Sequence, residues 1–203
     1  MSDDRGGDSL REEIAFIKNA LEDGRTYARM RSADFAVWGA AIAAGYFGTY
    51  AHVTHLWSAD PRLIWYVPAG LAWAFSLRDT IPALIRREAR TAPSPMVRTL
   101  RAIWLGYGIT AMTLAFLAFS DTNHPGWFDT VTAAMLGLCF FVSGAVSGIG
   151  WLRGLACGWW GAAAILFLMR NETEQLLAGG GFMLAFLFLP GLVLWLRRPP
   201  AHG

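Results

Sequence analysis

The stretch "FDTVTAAMLGLCFFVSGAVSGI", residues 128–149, decides the fold class of this chain. Its one charged side chain, Asp129, comes near its start, and every later residue is apolar, small or a hydroxyl. A helix of about 22 residues is about 33 Å long, enough to cross the roughly 30 Å hydrocarbon core of a bilayer. Apolar residues run on without alternating with polar ones. The segment therefore predicts a transmembrane helix rather than a strand of a membrane barrel.

Five other runs share this character, and the whole chain is too apolar for a water-soluble globule, with 55% hydrophobic and 16% charged residues. We expect an all-α polytopic membrane protein with six spans. Residues 1–32 precede the membrane domain, which covers 33–198, and 199–203 form a tail. The predicted spans are 33–57, 62–77, 100–120, 128–149, 151–169 and 175–196.

Basic residues indicate the orientation, because Lys and Arg close to spans are retained in the cytoplasm. Of the 17 basic residues, only Arg62 and Arg170 lie on the side of the membrane that the loops after the first, third and fifth spans share. Asp60, Asp121 and Asp129 also lie on that side. The other basic residues lie on the side that the two termini share. This asymmetry predicts cytoplasmic N and C termini, six crossings and a multi-pass membrane protein.

The segment before the first span predicts an amphipathic cytoplasmic helix. Ser9 and Glu12 fit a capping box, and apolar residues follow at helical spacing. The apolar residues are Leu10, Ile14, Ile17 and Leu21. This stripe lies either in the headgroup layer, with Arg25, Arg29 and Arg31 on lipid phosphates, or against a partner helix.

The loop after the second span is basic and contains Arg86, Arg87 and Arg90. Such a loop favours contact with anionic lipids or with a protein partner. Membrane lipids are therefore expected ligands, a cytoplasmic or membrane protein is an expected partner, and no feature predicts nucleic-acid binding. Arg78 and Asp79, just before this loop, lie either at the interface or inside the membrane as a pair.

Histidines supply a candidate metal or haem site. His52 and His55 are three residues apart at the end of the first span, which predicts neighbouring positions on one helical face. His124 falls in a loop on the same side of the membrane. Imidazoles bind zinc, copper and haem iron, but the same residues also suit a simple interfacial cap of the span. Both interpretations stay open.

Small residues recur every fourth position in two of the spans. Gly144 and Gly148 form one pair, and Gly154 and Gly158 form another. This spacing allows close approach of helices in lipid, either within one chain or between copies of it.

Catalytic patterns are missing from the sequence: it holds no nucleophile with its base, no paired carboxylates and no phosphate loop. We therefore expect a non-catalytic structural, regulatory or accessory subunit that docks a partner through its N-terminal helix and arginine-rich loop. One alternative is a small permease or channel for a neutral or lipidic solute. Another is a metal- or haem-binding membrane subunit.

The first 50 residues resemble a group of uncharacterised proteobacterial six-span inner-membrane proteins. The likeness is carried by "REEIAFIKNALEDGRTYARM", residues 11–30, followed by "VWGAAIAAGYFGTY", residues 37–50. It includes no catalytic motif. The resemblance implies a location in the inner membrane and implies no activity.

Overall fold

A computed structural model describes residues 32–78, 94–120 and 127–196, together with residues 14, 15, 17–19, 22 and 26. This part of the chain is helical and contains no strand. The predicted all-α class is confirmed. Within the described residues four helices have the length and apolar composition needed to cross a membrane: Pro95–Ala118, Trp127–Ser147, Gly150–Leu168 and Glu172–Leu196.

We number the helices of residues 32–78, 94–120 and 127–196 along the chain. In chain order they are α1 (Ser32–Val53), α2 (Pro61–Leu77), α3 (Pro95–Ser120), α4 (Trp127–Ser147), α5 (Gly150–Leu168), α6 (Glu172–Met183) and α7 (Leu189–Leu196). A π-helical turn, Leu184–Phe188, joins α6 to α7 without a break. We call the continuous helix from Glu172 to Leu196 the final rod.

Helix starts are set by capping residues and prolines. The Asp60 carboxylate accepts a hydrogen bond from the Arg62 backbone N–H at 2.8 Å, and Pro61 occupies the first position of α2. The Asn171 side chain accepts one from the Thr173 N–H at 3.0 Å at the start of α6. Polar caps thus lengthen α6 at the end that the apolar pattern alone would omit.

The first helix ends earlier than its apolar run predicted. It stops at Val53, and His55 takes a left-handed backbone conformation with φ of 60°. The N–H groups of Leu56 and Trp57 both donate to the Ala51 carbonyl, at 2.8 and 3.1 Å, which closes the helix end. The third helix instead begins at Pro95 rather than at residue 100, since proline is well suited to a first turn.

The helix α1 is the centre of one group. It packs against α2 and along the final rod, whereas α4 packs against α3 and α5. Rings join the two groups: Phe35 of α1 lies 5.8 Å from Phe140 of α4 and 4.7 Å from Trp104 of α3, measured between ring centroids.

Neighbouring helices run antiparallel, so the bundle has two distinct ends. One end carries the start of α1 and the end of α2, where Asp34 and Arg78 form an ion pair at 3.7 Å. Arg98, Arg101 and Arg153, near the starts of α3 and α5, belong to the same end, which we call the basic end. The opposite, acidic end carries Asp60, Asp129, Glu172 and Glu174, with Arg62 and Arg170.

The backbones of α1 and the final rod approach each other closely. A Cβ added to Gly39 would lie 2.5 Å from the backbone nitrogen of Phe188, and one added to Gly191 would lie 2.5 Å from that of Ala36. Neither backbone can move aside. Glycine is therefore required at both positions for the helices to approach so closely.

Candidate functional site

The N-terminal helix presents an exposed apolar pair. Ile14 and Ile17 are helical, lie one turn apart, and are each 58% exposed. We call them the isoleucine pair. Large apolar side chains with this exposure are available for docking, either to lipid or to a protein. The remaining members of the predicted site lie outside the described residues: Leu10, Leu21, Arg25, Arg29 and Arg31.

The arginine loop itself also falls outside the described residues, which include neither Arg86, Arg87 and Arg90 nor Asp79. Arg78, which precedes this loop, is among the described residues. The guanidinium carbon of Arg78 lies 3.5 Å from the centroid of the Phe75 ring, and its ion-pair partner is Asp34. The sequence pattern missed Asp34 as a partner because 44 positions separate it from Arg78.

His52 and His55 do not share a helical face. His52 is on α1 and half-buried, while His55 lies beyond the helix end and is exposed. The left-handed turn at His55 separates them, which corrects the prediction of neighbouring positions on one helix. His124 lies outside the described residues.

A zinc site needs three or four converging protein ligands, whereas haem iron is held by one or two axial ligands. Among the residues that the structure describes, no three His, Cys, Asp or Glu side chains come together. The Nδ1 atom of His52 is buried without a hydrogen-bond partner, so this imidazole does have an unused ligand atom. One available nitrogen does not make a zinc site, and the haem hypothesis stays a prediction.

A polar link that the sequence pattern missed joins α1 to α4. The Tyr46 hydroxyl donates a hydrogen bond to Asp129 Oδ1 at 2.5 Å, and Tyr46 is only 5% exposed. The Tyr46 ring also packs edge-on against Trp65, with centroids 5.5 Å apart. An ionisable side chain within an apolar span is costly without a partner, and here Tyr46 supplies one.

Most interior tryptophans use their indole N–H. The Nε1 atom of Trp38 donates to Ser76 Oγ at 3.0 Å, that of Trp65 to Thr49 Oγ1 at 3.0 Å, and that of Trp104 to Ser143 Oγ at 3.2 Å. Trp159 is the exception in the described part of the chain. Its ring is 1% exposed, and its Nε1 has no hydrogen-bond partner.

Two of the four predicted packing glycines lie at helix contacts. A Cβ on Gly144 would lie 2.9 Å from Arg153 Cγ, and one on Gly158 would lie 3.1 Å from the Phe186 ring. Gly148 has another role, because its φ of 67° makes the tight turn between α4 and α5. Gly154 has no described atom within 4 Å of an added Cβ, so its fourfold spacing does not correspond to a contact.

No family model matches the chain, and comparisons with curated proteins and with solved structures also give no match. No activity is therefore transferred from a relative.

Proposed function

We propose that the chain is a six-span bacterial inner-membrane protein that acts as a non-catalytic accessory or structural subunit. In this proposal both termini are cytoplasmic, and a partner protein binds the N-terminal helix and the arginine loop. The resemblance of the first 50 residues to proteobacterial inner-membrane proteins supports the location.

Six crossings are supported by the antiparallel order of α1 and α2 beside the four apolar helices. The helix α1 has 22 residues, or about 33 Å, and packs along the final rod over its length. The shorter α2 pairs with α1 from the Arg78–Asp34 ion pair at one end to Trp65 and Thr49 nearer the other. The arginines gathered at the basic end support a cytoplasmic position for that end.

The isoleucine pair is the observation that carries the docking role. A helical pair with more than half of each side chain exposed has apolar surface to bury. A partner helix would bury it against a matching apolar groove. The membrane headgroup layer is the competing occupant.

Photocrosslinking in cells separates these occupants. A benzophenone amino acid is introduced at Ile17 or, as the control, at Ala15, which is also exposed and lies on the opposite side of the helix. We expect a protein adduct from position 17 and none from 15, and we expect deletion of residues 1–30 to abolish co-purification while insertion persists. Adducts with lipid alone at position 17 would reject docking to a protein.

A second candidate function, a permease for a neutral or lipidic solute, is favoured by the π-helical turn in the final rod. Pro190 has no N–H and would clash with the carbonyl four residues earlier in a regular helix, and the π-helical turn lies at that point. Such a turn allows a span to flex. Flux of glycerol into proteoliposomes above that of protein-free vesicles would support this function, and equal flux would count against it.

A further inference from the structure

The helix α3 is the least enclosed of the four candidate spans. It packs against α4 and is almost unburied along its apolar length. One face carries a regular series at helical spacing, which we call the α3 face: Arg98, Arg101, Leu105, Ile109 and Met112. Both arginines are exposed, and the three apolar side chains are 66%, 60% and 61% exposed.

The series has the dimensions of one phospholipid. Intervals of three and four residues keep all five side chains within one narrow sector of the helix. Arg101 and Met112 are eleven residues apart, which is about 16 Å along the axis and about half of the bilayer core. The arginines thus lie at headgroup level, and the apolar residues below them cover the depth of a single leaflet.

Side-chain size favours a lipid over another helix on this face. Helices associate in membranes through small residues, and this chain does so where Gly39 and Gly191 bring α1 to the final rod. The α3 face instead carries long and branched side chains. These suit mobile acyl chains better than close backbone contact.

Charge determines which lipid fits. A guanidinium donates two parallel hydrogen bonds to phosphate oxygens, and Arg98 and Arg101 lie on adjacent turns of the helix. We propose that the α3 face is a binding site for an anionic phospholipid, with its phosphate on the two arginines and its acyl chains along Leu105 to Met112. This inference requires that α3 crosses the membrane, but not the direction of threading or the docking role.

Native mass spectrometry of the purified full chain tests the site. The protein in detergent is offered equal amounts of phosphatidylglycerol and phosphatidylethanolamine. We expect phosphatidylglycerol adducts to exceed phosphatidylethanolamine adducts by about tenfold, because both lipids offer the same phosphate but the two guanidiniums repel the ammonium group of phosphatidylethanolamine. The double variant Arg98→Gln, Arg101→Gln should lose this preference.

The matched control is Arg62→Gln, Arg170→Gln, which removes two arginines from the acidic end. It should retain the preference. Equal adducts of both lipids on the unmodified protein would overturn the proposal without any variant. An equal loss in the control would also overturn it, as would a protein dimer that disappears with Arg98→Gln, Arg101→Gln, because a second copy would then occupy the face.

Discussion

The hydroxyl of Tyr46 donates a hydrogen bond to the carboxylate of Asp129, and this bond connects α1 to the start of α4 at the acidic end of the bundle. The two helices belong to different packing groups, each with its own neighbours. At the other end the same helices meet through Phe35 and Phe140. These two contacts, together with the packing of α5 on the final rod at Gly158 and Phe186, fix how the two groups meet.

Removing the Tyr46 hydroxyl should destabilise the bundle. In Tyr46→Phe the Asp129 carboxylate loses a donor in a largely apolar setting, which should lower the free energy of unfolding by about 1–3 kcal/mol. Unfolding followed by circular dichroism in mixed micelles of increasing SDS content measures the change. Tyr50→Phe is the control, because no hydrogen bond from the Tyr50 side chain is found in the described residues. Equal stability of Tyr46→Phe and the unmodified protein would contradict the importance of this bond.

A methyl group at Gly39 should separate α1 from the final rod. Its Cβ would lie 2.5 Å from a backbone atom of Phe188, so one helix must shift, and overpacking of this kind costs about 1–3 kcal/mol. The same unfolding assay applies. Gly106→Ala is the matched control on α3, where nothing lies within 4 Å, and it should leave stability unchanged or slightly raised. A Gly39→Ala variant as stable as Gly106→Ala would disprove the close approach.

Loss of the Ser143 hydroxyl should destabilise the bundle, because it removes a hydrogen-bond acceptor. Ser143 is 5% exposed and accepts the Trp104 indole N–H, so Ser143→Ala leaves that N–H without its partner. We expect a loss of about 1–3 kcal/mol in the free energy of unfolding. Ser58→Ala, at an exposed position between α1 and α2, should change nothing. Equal free energies of unfolding for Ser143→Ala and Ser58→Ala would mean that the Trp104 indole N–H has another acceptor.

The isoleucine pair should be dispensable for folding. Because both side chains are 58% exposed, the double variant Ile14→Ser, Ile17→Ser should keep the unfolding transition of the unmodified protein while losing the photocrosslinked partner. Leu136→Ala, at a residue 1% exposed, should instead cost about 2–5 kcal/mol. A large loss of stability on changing the isoleucines would mean that they pack within the protein.

The sequence predicts that a segment is a long apolar helix better than it predicts which residues of that helix contact its neighbours. Long uninterrupted apolar runs mark α4, α5 and the final rod, because a lipid-facing helix is apolar on every side. For the same reason these runs do not reveal which face meets a neighbour. Gly154 and Gly158 have the same local pattern, yet only Gly158 touches another helix.

The central helix α1 illustrates the opposite difficulty. It is rich in Gly and Ala and includes Tyr46 and His52, so it is less apolar than the four candidate spans although it is long enough to cross. Its neighbours enclose its small residues. A helix surrounded by other helices needs less hydrophobicity than one surrounded by lipid. Composition alone therefore does not mark α1 as a candidate span. Pairs such as Tyr46 and Asp129 are set by tertiary packing over 83 positions and leave no local signal.

Thiol labelling of intact cells tests the six-span topology most directly. In a Cys139→Ser, Cys157→Ser background, single cysteines replace Ser2, Ser58, Asn171 or Gly203, and a membrane-impermeant maleimide is added before or after permeabilisation. We predict that positions 58 and 171 label in intact cells, whereas 2 and 203 label only after permeabilisation. Labelling of 171 but not of 58 would show that α1 and α2 do not cross, and termini that label from opposite sides would contradict the six-span arrangement altogether.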